Sequence, residues 1–363
     1  MSEQKREFAQ IANVTGAYLP MIERQLENHS VKFTEYARKC VINAVSAINT
    51  VLDTAGIRFD DPQLDQSNIT SILLNVASLE LNPSANPSEC YFQLRSVKKK
   101  INGQDVWQKK IEFGIQADGY DSLLSRFGRG VEKVYPFWEV REDDHFEYPK
   151  FNGLQMEPPK WTPGGTGKVV RVVYPILHKD HTIHFYISER ADVARNLMAH
   201  INNNLMNETF GLAPDRYKAT DDQKKKIAEK KKEIMERVKE LGLDALDDIE
   251  LRQYISPAWC EEFSRESMIL RKMRNNVTKK IPKDFGSSFT MERFEEMTND
   301  EYANVKAEII DGTATEVIGE IAPPESAEEP QEPIYGNGQG NLHPAEENRP
   351  QASVEGRVKP DFS

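Results

Sequence analysis

Between Ile111 and Tyr148 the spacing of apolar residues changes from that of a strand to that of a helix and back. A two-residue period comes first, as in a half-buried strand, with Trp107, Lys109, Ile111, Phe113 and Ile115 on one side. Helical spacing follows, on the face formed by Tyr120, Leu123, Leu124 and Phe127. Gly128 stands where a left-handed helix cap is expected, and a second strand passes through Val134, Trp138 and Val140. We therefore predict a strand, a short helix and another strand.

The remaining apolar patterns divide the chain into helices, hairpins and connections. Helical stripes and capping signals predict helices at 34–55, 68–81, 188–204 and 220–241, and one that begins at Ser256-Pro257. The helix at 220–241 starts with a capping box from Thr220 to Gln223 and has Gly242 behind it, and the last helix has Trp259, Phe263, Leu270 and Met273 on its apolar side. Two hairpins are predicted, from 90–97 with 106–116 and from 168–177 with 182–188. Residues 158–167 predict a loop. Residues 1–33 predict a polar, irregular extension with weak helical content around Tyr18 to Leu26. This order predicts an α+β fold in which amphipathic helices pack on antiparallel β-hairpins.

The charge of the chain is unevenly distributed. The whole sequence has a net charge of −11, but residues 301–363 contain 13 acidic and 4 basic residues, which leaves −2 for residues 1–300. The rich content of Pro, Glu and Gly after about residue 306 predicts a disordered acidic tail. The body is therefore nearly neutral with local basic clusters, and the acidic total does not exclude a nucleic-acid partner.

Basic and aromatic residues are interleaved on the first hairpin, around the central helix and on the last core helix. Such a mixture suits a groove that neutralises phosphates and stacks bases without reading their sequence. The candidate DNA-binding residues are Arg95, Lys98, Lys100, Trp107, Lys109, Lys110, Tyr120, Arg126, Arg129, Lys133, Arg265, Arg271, Lys272 and Arg274. The alternative interpretation is that these residues form solvated hairpin and helix surfaces.

Several short motifs in the chain resemble one known family. The central stretch contains Phe113-Gly114, Gly119-Tyr120, Leu124, Arg126 and Gly128, followed by Val140-Arg141-Glu142-Asp143-Asp144-His145-Phe146-Glu147. Leu79-Glu80-Leu81-Asn82-Pro83 precedes it, and Met268-Ile269-Leu270-Arg271-Lys272-Met273 follows. Together these motifs resemble the RecT family of phage and prophage recombinases, over about residues 34–280. Asp143 stands where the family usually has glycine, and Glu266 and Ser267 stand where it usually has two lysines.

The resemblance implies ATP-independent binding of single-stranded DNA and annealing of complementary strands in phage-type recombination. It implies a RecT-like core at 34–300, which lies between the extension at 1–33 and the tail at 301–363. Within this core, 216–242 is an inserted Lys-rich helix. The implied partners are single-stranded DNA, the annealed duplex, further copies in a ring or helical filament, a phage exonuclease and the host single-strand-binding protein. The implied location is the cytoplasm of the bacterial host.

Other interpretations of the sequence remain open. Glu142, Asp143, Asp144 and Glu147 are acids that a metal-dependent nuclease could use, and a non-enzymatic phage assembly protein is a third class. His178, His181 and His184 have a repeating spacing, but no Cys or carboxylate nearby completes a metal site. In 216–240, six acidic residues are interspersed among ten basic ones, a pattern typical of a salt-bridged helix.

The sequence contains no motif for ATP binding and no evident catalytic residues, so we expect a DNA-binding protein without an enzymatic activity, a cofactor or a metal. The odd and widely spaced Cys40, Cys90 and Cys260 indicate a reducing compartment. No apolar run approaches the ~18 residues of a membrane span, so no membrane partner is expected.

Overall fold

Two hydrophobic cores meet at one short helix in the middle of the chain. A computed structural model describes residues 3–101 and 104–307, with side chains for 11–97, 106–295, 297 and 298. The short helix, α4 (Ala117–Phe127), is the predicted central helix. Leu123 on this helix belongs to the first core, whereas the next residue, Leu124, belongs to the second. Because α4 is buried on two sides, its apolar face is wider than that of a surface helix.

The first core lies between helices and a long hairpin. Its elements are α1 (Glu3–Asn28), α2 (Glu35–Thr54), α3 (Gln66–Leu79), β1 (Cys90–Ile101) and β2 (Gln104–Ile115), with α9 (Ser288–Ala307) added from the end of the described chain. Thr34 and Asp65 accept backbone hydrogen bonds at the starts of α2 and α3, which fixes where those helices begin. The predicted helices at 34–55 and 68–81 are thereby confirmed.

The second core lies under an antiparallel sheet. Strand β9 (Val169–His178) pairs with β10 (Ile183–Glu189) along one edge, and with β3 (Val131–Val134) and then β4 (Trp138–Arg141) along the other. The sheet packs on α5 (Val193–Asn204), α6 (Asp221–Leu241), α7 (Pro257–Cys260) and α8 (Glu262–Thr278). The fold is α+β with antiparallel hairpins, as the sequence predicts.

Small strands extend this sheet region. Strand β5 (His145–Glu147) pairs with β8 (Lys160–Thr162), and β6 (Lys150–Asn152) pairs with β7 (Gln155–Glu157). The prediction of a loop over 158–167 is therefore wrong for β8. The strand predicted through Val134 and Trp138 is interrupted at Tyr135–Phe137, because Pro136 cannot donate a ladder hydrogen bond.

The amino-terminal segment is the largest correction to the sequence prediction. Residues 3–28 form helix α1 rather than an irregular extension. Ile22 and Leu26 are fully buried in the first core, one helical turn apart. Pro20 lies inside this helix and masks the pattern, since proline usually ends a helix.

Three further local predictions need revision. Gly128 ends α4 with φ −59° and ψ 121°, not in a left-handed conformation. A Cβ at Gly128 would lie 2.5 Å from the Leu124 carbonyl oxygen, so close packing explains the glycine. The helix predicted from Pro257 is divided into α7 and α8, and Phe263, expected on its buried side, is exposed.

None of the described helices combines the length and apolar character that a membrane crossing requires.

Candidate nucleic-acid interface

The described cations of the first hairpin mostly have partners within the chain. The contacts join Arg95 Nε to Glu112 Oε2 at 2.5 Å, Lys109 Nζ to Ser96 Oγ at 2.6 Å, and Lys110 Nζ to Asp65 Oδ2 at 3.6 Å. Arg95 is also largely buried. These contacts stabilise the hairpin, and they leave the three side chains little freedom to contact DNA.

The distal part of the hairpin is different. Lys98 and Lys100 lie on β1, but their side chains fall outside the described residues. Trp107 is 48% exposed and lies opposite Lys98 in the strand register. An exposed indole can stack on a nucleobase or on another protein.

The two predicted residues on α4 serve the fold. Tyr120 is fully buried, and the ammonium of Lys279 lies 4.6 Å from its ring centroid. The prediction that Tyr120 stacks on a base is therefore wrong. Arg126 forms an ion pair with the buried Glu89 at 3.1 Å and lies 5.3 Å from the Tyr36 ring centroid.

Most predicted cations on β3 and α8 also contact neighbouring side chains. Lys133 lies over Tyr135 at 4.9 Å, Lys272 over Trp259 at 6.0 Å, Arg265 pairs with Asp247 at 2.7 Å, and Arg271 Nη2 contacts Met268 Sδ at 3.0 Å. Lys133 is exposed and Arg271 is half-buried. Of this group, Lys133 is the best placed to meet a ligand.

Arg274 is a buried structural residue rather than a surface cation. Its Nη2 lies 2.7 Å from Asp118 Oδ1 and 2.6 Å from Asp121 Oδ2, both on α4. Its Nε donates to the Tyr174 hydroxyl on β9 at 3.2 Å. The prediction that Arg274 binds DNA is wrong, because its side chain is only 10% exposed and its donors are used inside the protein.

A cleft of about 570 Å³ brings cations from separate segments together. Arg129, Lys279 and Lys283 line it, and Asp284 and Glu295 are the acids on its wall. Arg129 is exposed, and none of the described side chains pairs with it. We call this space, with its lining from Arg129 and from residues 279–295, the basic cleft.

The basic cleft is positioned by backbone pairing. The Arg129 N–H donates to the Pro282 carbonyl at 2.9 Å, and the Asp284 N–H donates to the Phe127 carbonyl at 2.7 Å. These bonds hold the segment after α4 against the segment after α8. Because α9 also begins at the cleft, its amino-terminal dipole adds to the positive potential there.

Among the cations of the basic cleft, Lys283 is half-buried and is held by backbone carbonyls. Its Nζ donates to the carbonyls of Thr278 at 2.6 Å and Ile281 at 3.2 Å. Burial, together with the nearby charge of Lys279, lowers the pKa of the Lys283 amine to about 8. An anion in the cleft would stabilise the protonated amine, so the site is electrostatically suited to phosphate.

The cleft also has an apolar wall. Phe285 and Phe294 line it with their ring centroids 4.9 Å apart, and the side chain of Met291 is 51% exposed beside them. Cations next to an aromatic and thioether surface match the two parts of a nucleotide, its phosphate and its base. Sequence reasoning missed Lys283, Phe285 and Met291; the only signal was the short basic run Lys279-Lys280-Ile281-Pro282-Lys283.

The carboxylates required by a nuclease interpretation are used to hold a loop. Asp144 accepts hydrogen bonds from the N–H groups of Arg141, Gly164 and Gly165 and from Trp161 Nε1. These hydrogen bonds, led by the one from the Arg141 backbone, hold the pKa of Asp144 well below its ordinary value. Glu142 and Asp143 accept from the same loop. The arrangement explains these acids structurally and does not favour metal chemistry.

The other two sequence patterns have local explanations. The rings of His178 and His184 lie 4.5 Å apart, while His181 faces Glu132 at 3.7 Å. Within the described ranges, no group of three or more His, Cys, Asp or Glu residues is arranged to hold a metal ion. The Lys-rich segment forms α6 with the predicted capping box and with pairs such as Lys232 to Glu236 at 3.8 Å, so it is the salt-bridged helix that the sequence predicts.

Comparison of the chain with protein-family models, curated protein sequences and solved structures finds no match.

Proposed function

We propose that the protein binds single-stranded DNA in the basic cleft and anneals complementary strands without ATP, in the manner of RecT-like recombinases in a bacterial cytoplasm. The observation that carries the proposal is the convergence of Arg129, Lys279 and Lys283 beside the wall of Phe285 and Met291. Backbone phosphates require such cations, and unstacked bases require such apolar faces. The sequence motifs that resemble the RecT family support the same function.

Assembly is part of the proposal. One cleft with a positive excess of one formal charge, from three cations and two acids, neutralises little of a DNA strand. Several copies on one strand would add their contacts, because each further binding event is effectively intramolecular. Two complementary strands repel each other, and an array of clefts would reduce that repulsion enough for pairing to begin.

Removing two cleft cations is expected to weaken DNA binding and to reduce its salt dependence. For the variant carrying Arg129→Ala and Lys279→Ala, the slope of log affinity against log salt should become shallower by about 1.4, since each phosphate contact on a single strand contributes about 0.7. Fluorescence anisotropy with a labelled oligonucleotide over a salt series measures this slope. The same variant should lose most of the ATP-independent acceleration of duplex formation between complementary oligonucleotides.

The matched control removes two exposed cations from α6, with Lys224→Ala and Lys225→Ala in one chain. This control should keep the wild-type slope. Equal losses in both variants would show that only net charge matters, and an unchanged slope in the cleft variant would refute the site. Adding Mg²⁺ to the same binding mixture tests the rival class, because shortened oligonucleotides would indicate a nuclease.

Binding should also weaken as the pH rises through the pKa of Lys283. In the protein without DNA, the Lys283 amine has a lowered pKa of about 8, so it is mostly charged at pH 7 and mostly neutral at pH 9. DNA favours the charged form, so binding at pH 9 must also take up a proton, and affinity should fall by up to about tenfold over this interval. Anisotropy titrations at the two pH values measure the change. The variant Lys283→Met should bind more weakly at pH 7 and lose this part of the pH dependence; an equal fall in both proteins would exclude Lys283.

A further inference from the structure

The amine of Lys283 is held in a way that suits a nucleophile. Its Nζ donates to the Thr278 carbonyl at 2.6 Å and to the Ile281 carbonyl at 3.2 Å. A neutral amine has two N–H donors and one lone pair, so these two carbonyls can accept both donors and leave the lone pair available. Burial and the charge of Lys279 favour this neutral form, because they lower the pKa of Lys283 to about 8.

The backbone places two other cations beside this amine. Gly128, the residue before Arg129, forms an antiparallel bridge with Lys283. Thr278, which accepts from the Lys283 amine, is the residue before Lys279. Arg129, Lys279 and Lys283 all line the same cleft of about 570 Å³. An anion held by the first two cations therefore lies next to the third.

The acids of the cleft leave this arrangement intact. Asp284 Oδ1 accepts from the Gly286 N–H at 3.0 Å, so this carboxylate stabilises its own turn. Glu295 is exposed on the cleft wall. A guanidinium and an ammonium together suit a phosphate group. The electrophile that fits has a phosphate for these cations and, on the next atom, an activated carbonyl for the amine, which is the chemistry of an acyl phosphate.

We propose that Lys283 is a site of acylation by small acyl phosphates, whose phosphate group is bound by Arg129 and Lys279. The neutral Lys283 nitrogen attacks the carbonyl carbon and forms an N–C bond. The C–O bond to the phosphate breaks, and the phosphate leaves with its electron pair. The departing phosphate takes up the proton that the nitrogen loses. The products are an amide on Lys283 and inorganic phosphate.

Acylation would change the charge of the basic cleft. The amide is neutral, so the three cations and two acids of the lining become two and two, and the formal excess of one positive charge disappears. DNA bound in the cleft would be held less tightly after the reaction. This consequence rests on the proposed function, whereas the acylation itself does not.

Acetyl phosphate and the full chain test the reaction at pH 8, with acetylation of each lysine followed over time by peptide mass spectrometry. Lys231 is an internal control, because it is also half-buried, donates to the Met206 carbonyl at 2.9 Å and has a pKa lowered by burial. It is not part of the cleft lining. Lys283 should react about tenfold faster than Lys231, the factor given by ~1.4 kcal/mol of phosphate binding. A Lys283 rate no higher than that of Lys231 overturns the proposal.

The variant Arg129→Ala separates phosphate binding from simple reactivity. It should slow acetylation of Lys283 by acetyl phosphate about tenfold, since charge-assisted hydrogen bonds to the phosphate are lost. With the N-hydroxysuccinimide ester of acetic acid, a neutral reagent without a phosphate, the variant and the wild type should acetylate Lys283 at the same rate. Equal slowing with both reagents, or no slowing with acetyl phosphate, would contradict the role of Arg129.

A final comparison distinguishes failure of this site from failure of the proposed function. Wild type and Lys283→Arg are treated with acetyl phosphate in parallel, and their binding of a labelled oligonucleotide is then measured by anisotropy. Only the wild type should lose affinity, because arginine keeps the charge and is not acetylated. If Lys283 is acetylated as expected and binding stays unchanged, the acylation site stands and DNA binding in the basic cleft is refuted.

Discussion

Replacing Arg274 by alanine is expected to lower the free energy of unfolding by about 3–5 kcal/mol, the range measured when one partner of a buried ion pair is removed. Asp118 and Asp121 would then face each other without a cation, and the Tyr174 hydroxyl would lose a donor. Burial already raises the pKa of Asp121, and Arg274 opposes that rise. The variant would therefore have to protonate a carboxyl group or leave a charge unpaired.

Urea unfolding monitored by circular dichroism measures this loss. Arg271→Ala is the matched control, because Arg271 lies on the same helix but outside the buried network, and its removal should change stability by less than about 1 kcal/mol. Arg274→Lys should recover only part of the loss, since an ammonium cannot reach both carboxylates as a planar guanidinium does. If the Arg274→Ala protein were as stable as the wild type but failed to bind DNA, Arg274 would be a DNA-binding residue and not a structural one.

Replacing Gly119 by alanine is the second change with a large expected effect. A Cβ at this position would lie 2.0 Å from the Glu89 carbonyl oxygen and 2.7 Å from a methyl group of Ile115. The backbone of Glu89 cannot move easily, because its carbonyl accepts from the Gln116 N–H at 3.0 Å. We expect a loss of about 3 kcal/mol, the upper part of the range for overpacked cores.

Thermal unfolding of Gly119→Ala beside Gly16→Ala measures the effect and controls for the substitution itself. Gly16 lies within α1, and a Cβ there would meet nothing within 4 Å. Alanine should therefore stabilise α1 by about 0.5–1 kcal/mol. Equal behaviour of the two variants would mean that close packing does not explain the glycine in the central motif.

Local signals in the sequence predicted the elements that depend on local contacts. The capping box from Thr220 to Gln223 and Gly242 gave the ends of α6, because a helix end is satisfied by residues within one turn. The stripe from Ala37 to Leu52 gave α2 for the same reason. Helix α1 was missed because Pro20 masks its pattern and because Ile22 and Leu26 are buried against residues distant in the sequence. The interruption at Pro136 has a local cause, the missing N–H of proline, which the apolar spacing on either side concealed.

The candidate site depends on contacts that the sequence does not display. Arg274 resembled other cations of α8, but its acidic partners lie more than 150 positions earlier in the chain. The basic cleft similarly joins Arg129 to residues after 279, so spacing along the chain gives no sign of it. Composition identified the right residue types, while ion pairing within the fold decided which of them face solvent.

The central helix limits how this chain can be divided. Leu123 and Leu124 are anchored in opposite cores, so α4 is shared by the two halves and belongs to neither alone. A fragment that ends before residue 117 would lack α4 and would leave part of the first core uncovered. A fragment that begins at residue 117 would expose the apolar side of α4 that the first core normally buries. Gene fusions, split reporters and proteolytic dissection should therefore keep residues 117–127 joined to both sides.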